Sequence, residues 1–183
     1  MDTLEAIRNR RSVRRYQDKP VPDDVLNKIL EAARWAPSWA NTQCTCYVIV
    51  KDPDTKARLA QMLNTGNPST DAIINAPIVI VACAELKKSG YYKGTASTDR
   101  GDWFMFDVGI AMENLCLAAH ALGLGTVHVG FILDSKKVDE LLAVPEGYTA
   151  VEMTPLGYPA IEAKAPPRKE LSEIVFYEKF GKS

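Results

Sequence analysis

Apolar positions along the chain recur first at helical and then at strand spacing, several times in alternation. Asp2-x-x-Glu5 reads as a capping box that opens a short helix with Leu4 and Ile7 on its inner face. Pro20 and Pro22 bracket a turn. Pro22 suits the first position of a second helix, Asp23 and Asp24 favour its positive end, and Val25, Leu26, Ile29, Leu30 and Ala33 follow until Pro37 ends it. Residues 38–43 are a polar loop, and 44–50 a β-branched and aromatic strand. Asp52-Pro53 caps a third helix carrying Leu59, Met62 and Leu63, and 64–70 reads as a loop. Residues 78–84 are apolar without alternation, which predicts a strand buried on both faces.

The second half opens on a polar stretch, 85–102, with Tyr91 and Tyr92; its length and composition suggest a mobile lid or binding loop. Residues 103–122 carry the strongest helical signal. Phe106, Ile110, Leu115, Leu117 and Leu122 place apolar groups around most of the circumference, as in a helix buried in a core or a subunit interface, and Gly123 caps its end. A strand over 127–133, a short helix over 135–142 and a strand over 149–154 follow. A Pro-rich linker, 163–168, leads to a tail, 171–180, with Ile174, Val175, Phe176 and Tyr177. No repeat or boundary interrupts residues 1–183, so they read as one domain of mixed α/β or α+β layer architecture.

Composition narrows the function. The chain has 183 residues, 46% of them apolar and 25% charged, which excludes disorder, collagen and low complexity. A net charge of −1 gives no global field to recruit nucleic acid or an anionic membrane. The longest apolar run, 76–84, contains Pro77 and is far shorter than the roughly 20 residues of a membrane-spanning helix. The N-terminus is acidic and amphipathic, unlike a signal peptide, and four cysteines do not make a disulfide scaffold, so a reducing cytoplasm is expected.

Local charge departs from this average. Five of nine arginines, Arg8, Arg10, Arg11, Arg14 and Arg15, fall within eight residues. Arg10-Arg11-Ser12-Val13-Arg14 offers positive charge, planar forks and a hydroxyl, the donor set a phosphate needs. The same run also suits a solvated basic face or a nucleic-acid patch. In the 38–43 loop, Asn41 and Gln43 each present donor and acceptor together, as reading an amide-like ring edge requires; a capped loop explains them equally.

Other motifs recede. Gly123-Leu124-Gly125 lacks the third glycine of a dinucleotide fingerprint and lies between helix and strand in the reverse order. Gly181-Lys182-Ser183 imitates the end of a P-loop, but Phe176 replaces the first glycine. Cys44 and Cys46 share one strand face with only His120 and His128 to join them, so no metal is expected. His120 reads as a packing residue, and no Ser/His/Asp or Cys/His nucleophile arrangement stands out.

Taken in order, several weak motifs make a specific set. They are Arg10-Arg11-Ser12-Val13-Arg14, Glu31-Ala32-Ala33, Ala36-Pro37-Ser38, Asn41-x-Gln43 and Asn75-Ala76-Pro77. Gly109, Glu113-Asn114-Leu115, Ala118-Ala119, Gly123-Leu124-Gly125-Thr126, Gly157-Tyr158-Pro159 and Pro167-Arg168-Lys169 continue the series. This set resembles the FMN-dependent nitroreductase family over nearly the whole chain. The resemblance implies an α+β fold, three-layer α/β/α around a mainly antiparallel sheet, in an intertwined homodimer with an FMN in each of two interface sites. The long helix would be an interface element and 165–183 a tail embracing the partner.

By position, the resemblance implies that Arg10, Ser12 and Arg168 hold the FMN phosphate, with Arg11 contributing mainly backbone, and that Arg14 approaches the flavin pyrimidine ring. Pro37, Ser38, Trp39, Asn41 and Gln43 would come from the other subunit, and Val129 and Gly130 would offer backbone donors near flavin N5. Pro166 stands where many relatives carry a second basic residue, with Lys164 nearby. Asn64, Asn67 and Ser69 receive no role from the resemblance, and the lid should be reduced. The activity implied is ping-pong hydride transfer from NADH or NADPH through the flavin to a nitroaromatic or quinone acceptor, with no catalytic side chain required. A flavin carrier or sensor without turnover is the alternative.

Overall fold

The computed structural model describes residues 1–130 and 135–181. The far end of the expected strand 127–133, and the Lys182 and Ser183 of the P-loop imitation, lie outside the described residues.

The fold is built on β2 (Ile78–Glu85), whose first seven residues are all buried. It pairs antiparallel with β1 (Thr45–Val50) on one side and β7 (Tyr148–Gly157) on the other, and β7 pairs antiparallel with β5 (Gly125–Thr126) and β6 (Val129–Gly130). Side chains alternate across a strand. Ile78, Ile80, Ala82 and Ala84 therefore face one layer, made by α2 (Asp23–Arg34) and α5 (Phe104–Ala121) through Leu26, Ile29, Met112, Leu115 and Ala119. Val79, Val81 and Cys83 face the opposite layer. There they meet Leu59 of α3 (Pro53–Gln61), Ile73 of α4 (Thr70–Asn75) and Val138 of α6 (Ser135–Leu141). This is the expected α+β fold, with helices on both faces of an antiparallel sheet.

Local chemistry explains most boundaries. Helix α1 (Thr3–Asn9) has the full capping box between Asp2 and Glu5. Pro22 is the N-cap of α2 rather than its first residue, and α2 stops at Arg34, before Pro37, because a proline disfavours helical backbone in the residue before it. Asp52 caps α3, accepting from the Thr55 amide at 2.8 Å, with Pro53 opening the helix.

Two expectations change. Leu4 and Ile7 are exposed, and Ala6 is the residue of α1 that is buried. The stretch 85–102 is not a loose loop. It contains a hairpin of β3 (Tyr91–Tyr92) and β4 (Thr95–Ala96), closed by Lys87 N to Asp102 Oδ2 at 2.6 Å and Trp103 Nε1 to Thr98 Oγ1 at 2.9 Å. Gly90 permits this closure: its φ is +80°, and a Cβ there would lie 2.5 Å from the Trp103 ring. Helix α5 divides its apolar surface within one chain. Val108, Met112, Leu115 and Cys116 face the core, while Met105 and Phe106 lie exposed at its start. The tail carries one further turn, α7 (Leu171–Ile174), with no buried residue.

Candidate functional site

After α1 the chain runs extended beside the sheet. The Val13 amide donates to Thr126 O at 2.8 Å, and Ser12 bridges Thr126 in parallel. Gly125 makes the approach possible, since a Cβ there would sit 2.6 Å from the Val13 side chain. In an extended segment alternate residues share a side. Val13 turns into the core, and Arg10, Ser12 and Arg14 turn together into a cavity of about 330 Å³. Arg11, Lys164, Pro166 and Arg168 complete its lining. The two ends of the sequence thus meet around one cationic hollow. Lys164 stands in it, while the expected second basic position is the hydrophobic Pro166.

Within this cradle each arginine is held differently. The Arg11 guanidinium folds back onto Arg8 O at 2.6 Å and Arg10 O at 2.7 Å. Arg10 Nε lies 3.2 Å from Glu113 Oε1 of α5. Arg14 Nε donates to Ser69 Oγ at 3.3 Å, and the Ser69 amide donates to Asn67 Oδ1 at 2.9 Å. The 64–70 loop, to which the sequence pattern assigns nothing, is therefore the neighbour of Arg14. Arg168 donates to Pro166 O and Pro167 O, both at 3.3 Å.

The other expected residues form a second region. Pro37, Ser38 and Gln43 line a separate cavity of about 630 Å³ between α2, β1 and α5. Trp39 and Asn41 belong to the 3₁₀ turn of the same loop. Ala40, Asn41 and Gln43 all have positive φ, 44°, 56° and 52°, a conformation that costs non-glycine residues energy and persists only where surroundings hold it. Asp107 does the holding. Its buried carboxylate accepts from the Trp39 amide at 2.9 Å, Thr42 Oγ1 at 3.4 Å and Cys44 Sγ at 3.5 Å. The Gln43 amide donates to Ser38 Oγ at 2.9 Å. Burial, and then the Asp107 charge, push the Cys44 thiol up to about 11. Asp107 escapes sequence reasoning because it sits in the first turn of an apolar helix, where an acidic residue needs no explanation beyond the helix dipole.

Cys44 and Cys46, expected on one strand face, lie in different surroundings: Cys44 is buried against Asp107, and Cys46 is exposed. A different group gathers instead. His128 Nδ1 lies 2.9 Å from Glu152 Oε2, and His128 Nε2 lies 3.3 Å from Glu113 Oε2 and 3.5 Å from Cys116 Sγ. These hydrogen bonds, to Cys116 first and then to the two carboxylates, push the imidazole up to about 12 against the opposing effect of burial. Burial pushes the Glu113 carboxyl up, but His128 and Arg10 outweigh it and hold it below its ordinary value. The thiol and carboxylate of Cys116 and Glu113, neighbours on one face of α5, thus meet an imidazole and a second carboxylate, His128 and Glu152, from elsewhere in the chain, which no spacing announces. Val129 and Gly130 follow His128 on β6, paired with Met153 and Glu152. His120 lies beside Arg10 and Arg11 on the wall of a larger cavity; burial, then those two arginines, hold its imidazole below the ordinary value.

The model of the nitroreductase family matches residues 7–73 and 64–158. A curated relative from Methanothermobacter thermautotrophicus, whose name pairs NADH dehydrogenase with NAD(P)H nitroreductase, is 33% identical over 163 residues, 87% of this chain and 78% of that protein. A nitroreductase family protein from Clostridium novyi NT superposes with a TM-score of 0.77 at 30% identity, over 100% of this chain and 97% of that one. The NADPH:FMN oxidoreductase from Vibrio harveyi, solved in complex with NAD+, gives 0.81 at 27% identity, over 99% of this chain and 79% of that one. With its motifs in order, its sheet flanked by helices on both faces, and these matches, the chain belongs to the nitroreductase family.

Proposed function

We propose that this protein is an FMN-dependent oxidoreductase that takes hydride from NADH or NADPH and passes it by ping-pong turnover to a small nitroaromatic or quinone acceptor. The observation that carries this reading is the cavity where Arg10, Arg11, Ser12, Arg14, Lys164 and Arg168 converge. Its charge and its forked donors suit a phosphate monoester. Bound FMN would supply the hydride chemistry, and the protein would orient and tune it. Arg10 and Arg168 hold the phosphate, with Ser12 as hydroxyl donor. Arg14, fixed by Ser69, sets positive charge beside the ring edge where electron uptake builds negative charge. Val129 and Gly130 contribute backbone at the N5 side.

The proposed site is completed by a second copy of the chain. The 37–43 loop and the arginine cavity are separate in one chain, so a shared flavin site takes one from each subunit. Leu4, Ile7, Met105, Phe106 and the 171–180 tail expose apolar surface, and β1 is an open sheet edge among the described residues. A homodimer covers these. All four cysteines are free thiols, in keeping with a reducing cytoplasm, and no helix among the described residues is long and apolar enough to cross a membrane.

The test separates holding from tuning. Denaturing the purified protein should release FMN, one per chain. Arg10→Ala should lose flavin affinity by about 2–5 kcal/mol, the cost of breaking a desolvated charge pair. Arg14→Ala should keep more flavin but lower its two-electron potential and slow its reduction by NAD(P)H, and Arg14→Lys should be intermediate. Tight FMN without NAD(P)H oxidation would favour the carrier reading. A potential shifted by Arg10→Ala and untouched by Arg14→Ala would reverse the two roles.

A further inference from the structure

We propose that Glu113, Cys116 and His128 form a binding site for one divalent transition-metal ion, with Zn²⁺ the best match to the donor set. A thiolate, an imidazole and a carboxylate are the three protein ligand types zinc takes. Glu113 and Cys116 lie three residues apart on α5 and so share a helix face, and His128 reaches them from the residue before β6.

The separations match a tetrahedron. With metal–sulfur near 2.3 Å and metal–nitrogen or –oxygen near 2.0–2.1 Å, tetrahedral ligands stand about 3.5 Å apart for S and N and about 3.3 Å for N and O. Cys116 Sγ and His128 Nε2 are 3.5 Å apart, and His128 Nε2 and Glu113 Oε2 are 3.3 Å apart. All three donor atoms lie within 4.8 Å of one another, so a small rotation of Glu113 closes the remaining edge.

The surroundings are those of a metal site. The other imidazole nitrogen, Nδ1, is held by Glu152 at 2.9 Å, the carboxylate–histidine–metal arrangement that fixes tautomer and ring direction. Glu152 reaches it from the register shift between β2 and β7, where Ala82 pairs with Glu152 and Cys83 with Ala150. Glu113 Oε1 is engaged by Arg10 at 3.2 Å, which leaves Oε2 for the ion. Cys116 is buried, while Glu113 and His128 keep solvent access, giving the ion an entry path and a water its fourth position. Without an ion, the single Nε2–H must serve both the Glu113 oxygen and the Cys116 sulfur. A cation meets both donors at once.

The experiment uses the FMN-loaded protein, stripped with chelator, dialysed, titrated with Co²⁺ and then with Zn²⁺. The expected result is one Co²⁺ per chain, with a thiolate-to-cobalt charge-transfer band and intense tetrahedral bands in the red, beyond the flavin's own absorption, both bleached by Zn²⁺. Cys116→Ser should abolish the charge-transfer band. Glu152→Gln should weaken Co²⁺ binding about 10- to 100-fold with the bands unchanged in position. Cys46→Ser, which alters an exposed thiol away from the site, should change neither. Folded wild-type protein that takes up no Co²⁺, or bands that survive Cys116→Ser, would overturn the proposal. So would Co²⁺ bound without a charge-transfer band.

Discussion

Strand β2 and the C-terminal tail are both apolar, and within one chain they meet opposite fates. Ile78, Ile80, Val79 and Val81 find neighbours on both faces of the sheet and are almost completely buried. Leu171, Ile174, Val175 and Tyr177 find none that bury them, and Phe180 keeps 92% of its surface in water. The same hydrophobic driving force acts on both segments. The core is satisfied by its own chain, whereas the tail, the start of α5 and the outer face of α1 are not. On the proposed dimer, the first set determines whether the chain folds and the second whether the flavin site is assembled.

The largest effect should separate these roles. Ile80→Ala removes buried methylenes from the centre of the sheet and should cost about 2–5 kcal/mol of folding stability, in denaturant melts run beside wild type at the same protein concentration. Ending the chain before Leu171 should barely alter those melts once corrected for dissociation. It should instead make the protein dissociate on dilution and release FMN as it does. A shortened protein that remains dimeric and retains its flavin would break the comparison, placing the tail outside the interface.

Asp107 gives the next effect, because it joins the two regions. It belongs to the core face of α5 and holds the strained 38–44 loop through three hydrogen bonds. Asp107→Ala should cost about 1.5–3 kcal/mol in folding stability, since the Trp39 amide loses a charged acceptor. FMN should then dissociate faster even though every residue of the arginine cavity is intact. Flavin kinetics identical to wild type would show that the loop takes no part in the site.

The sequence disclosed what depends on neighbours in the chain. The Asp2–Glu5 capping box, the Asp52-Pro53 helix start and the doubly buried 78–84 strand are local patterns, and all are present in the structure. Arg10, Ser12 and Arg14 were legible as a donor set, but not as one face of an extended segment, because the alternation comes from pairing with Thr126 far along the chain. Contacts that join distant segments left no mark at all. Arg14 with Ser69, Asp107 with Trp39, and Cys116 with His128 and Glu152 each unite residues whose spacing is set by the fold. Leu4 and Ile7, whose spacing points to an inner face, are exposed for the opposite reason. Helical spacing reveals an apolar face without saying whose surface covers it.

The smallest effect tests the comparison from its local end. The Asp52 carboxylate accepts from Thr55 Oγ1 at 2.6 Å and from the Thr55 amide at 2.8 Å, a cap complete within four residues of chain. The Thr55 side chain first, and its amide second, hold the Asp52 carboxyl below its ordinary value in the folded protein. A depressed carboxyl contributes stability above its unfolded pKa, about 3.9, and loses that contribution as pH falls through the lower folded value. Asp52→Ala should therefore lower Tm slightly at neutral pH, and the gap from wild type should close in acid. Asp52→Asn keeps a good capping side chain without the charge, so its Tm should stay near wild type at neutral pH and lack that pH dependence. Neither variant should alter dimerisation or flavin content, because the cap touches none of the surfaces left open in one chain. A gap between Asp52→Ala and wild type that widens in acid would show that the carboxylate is not the stabilising form, and would remove this cap from the set of interactions the chain completes by itself.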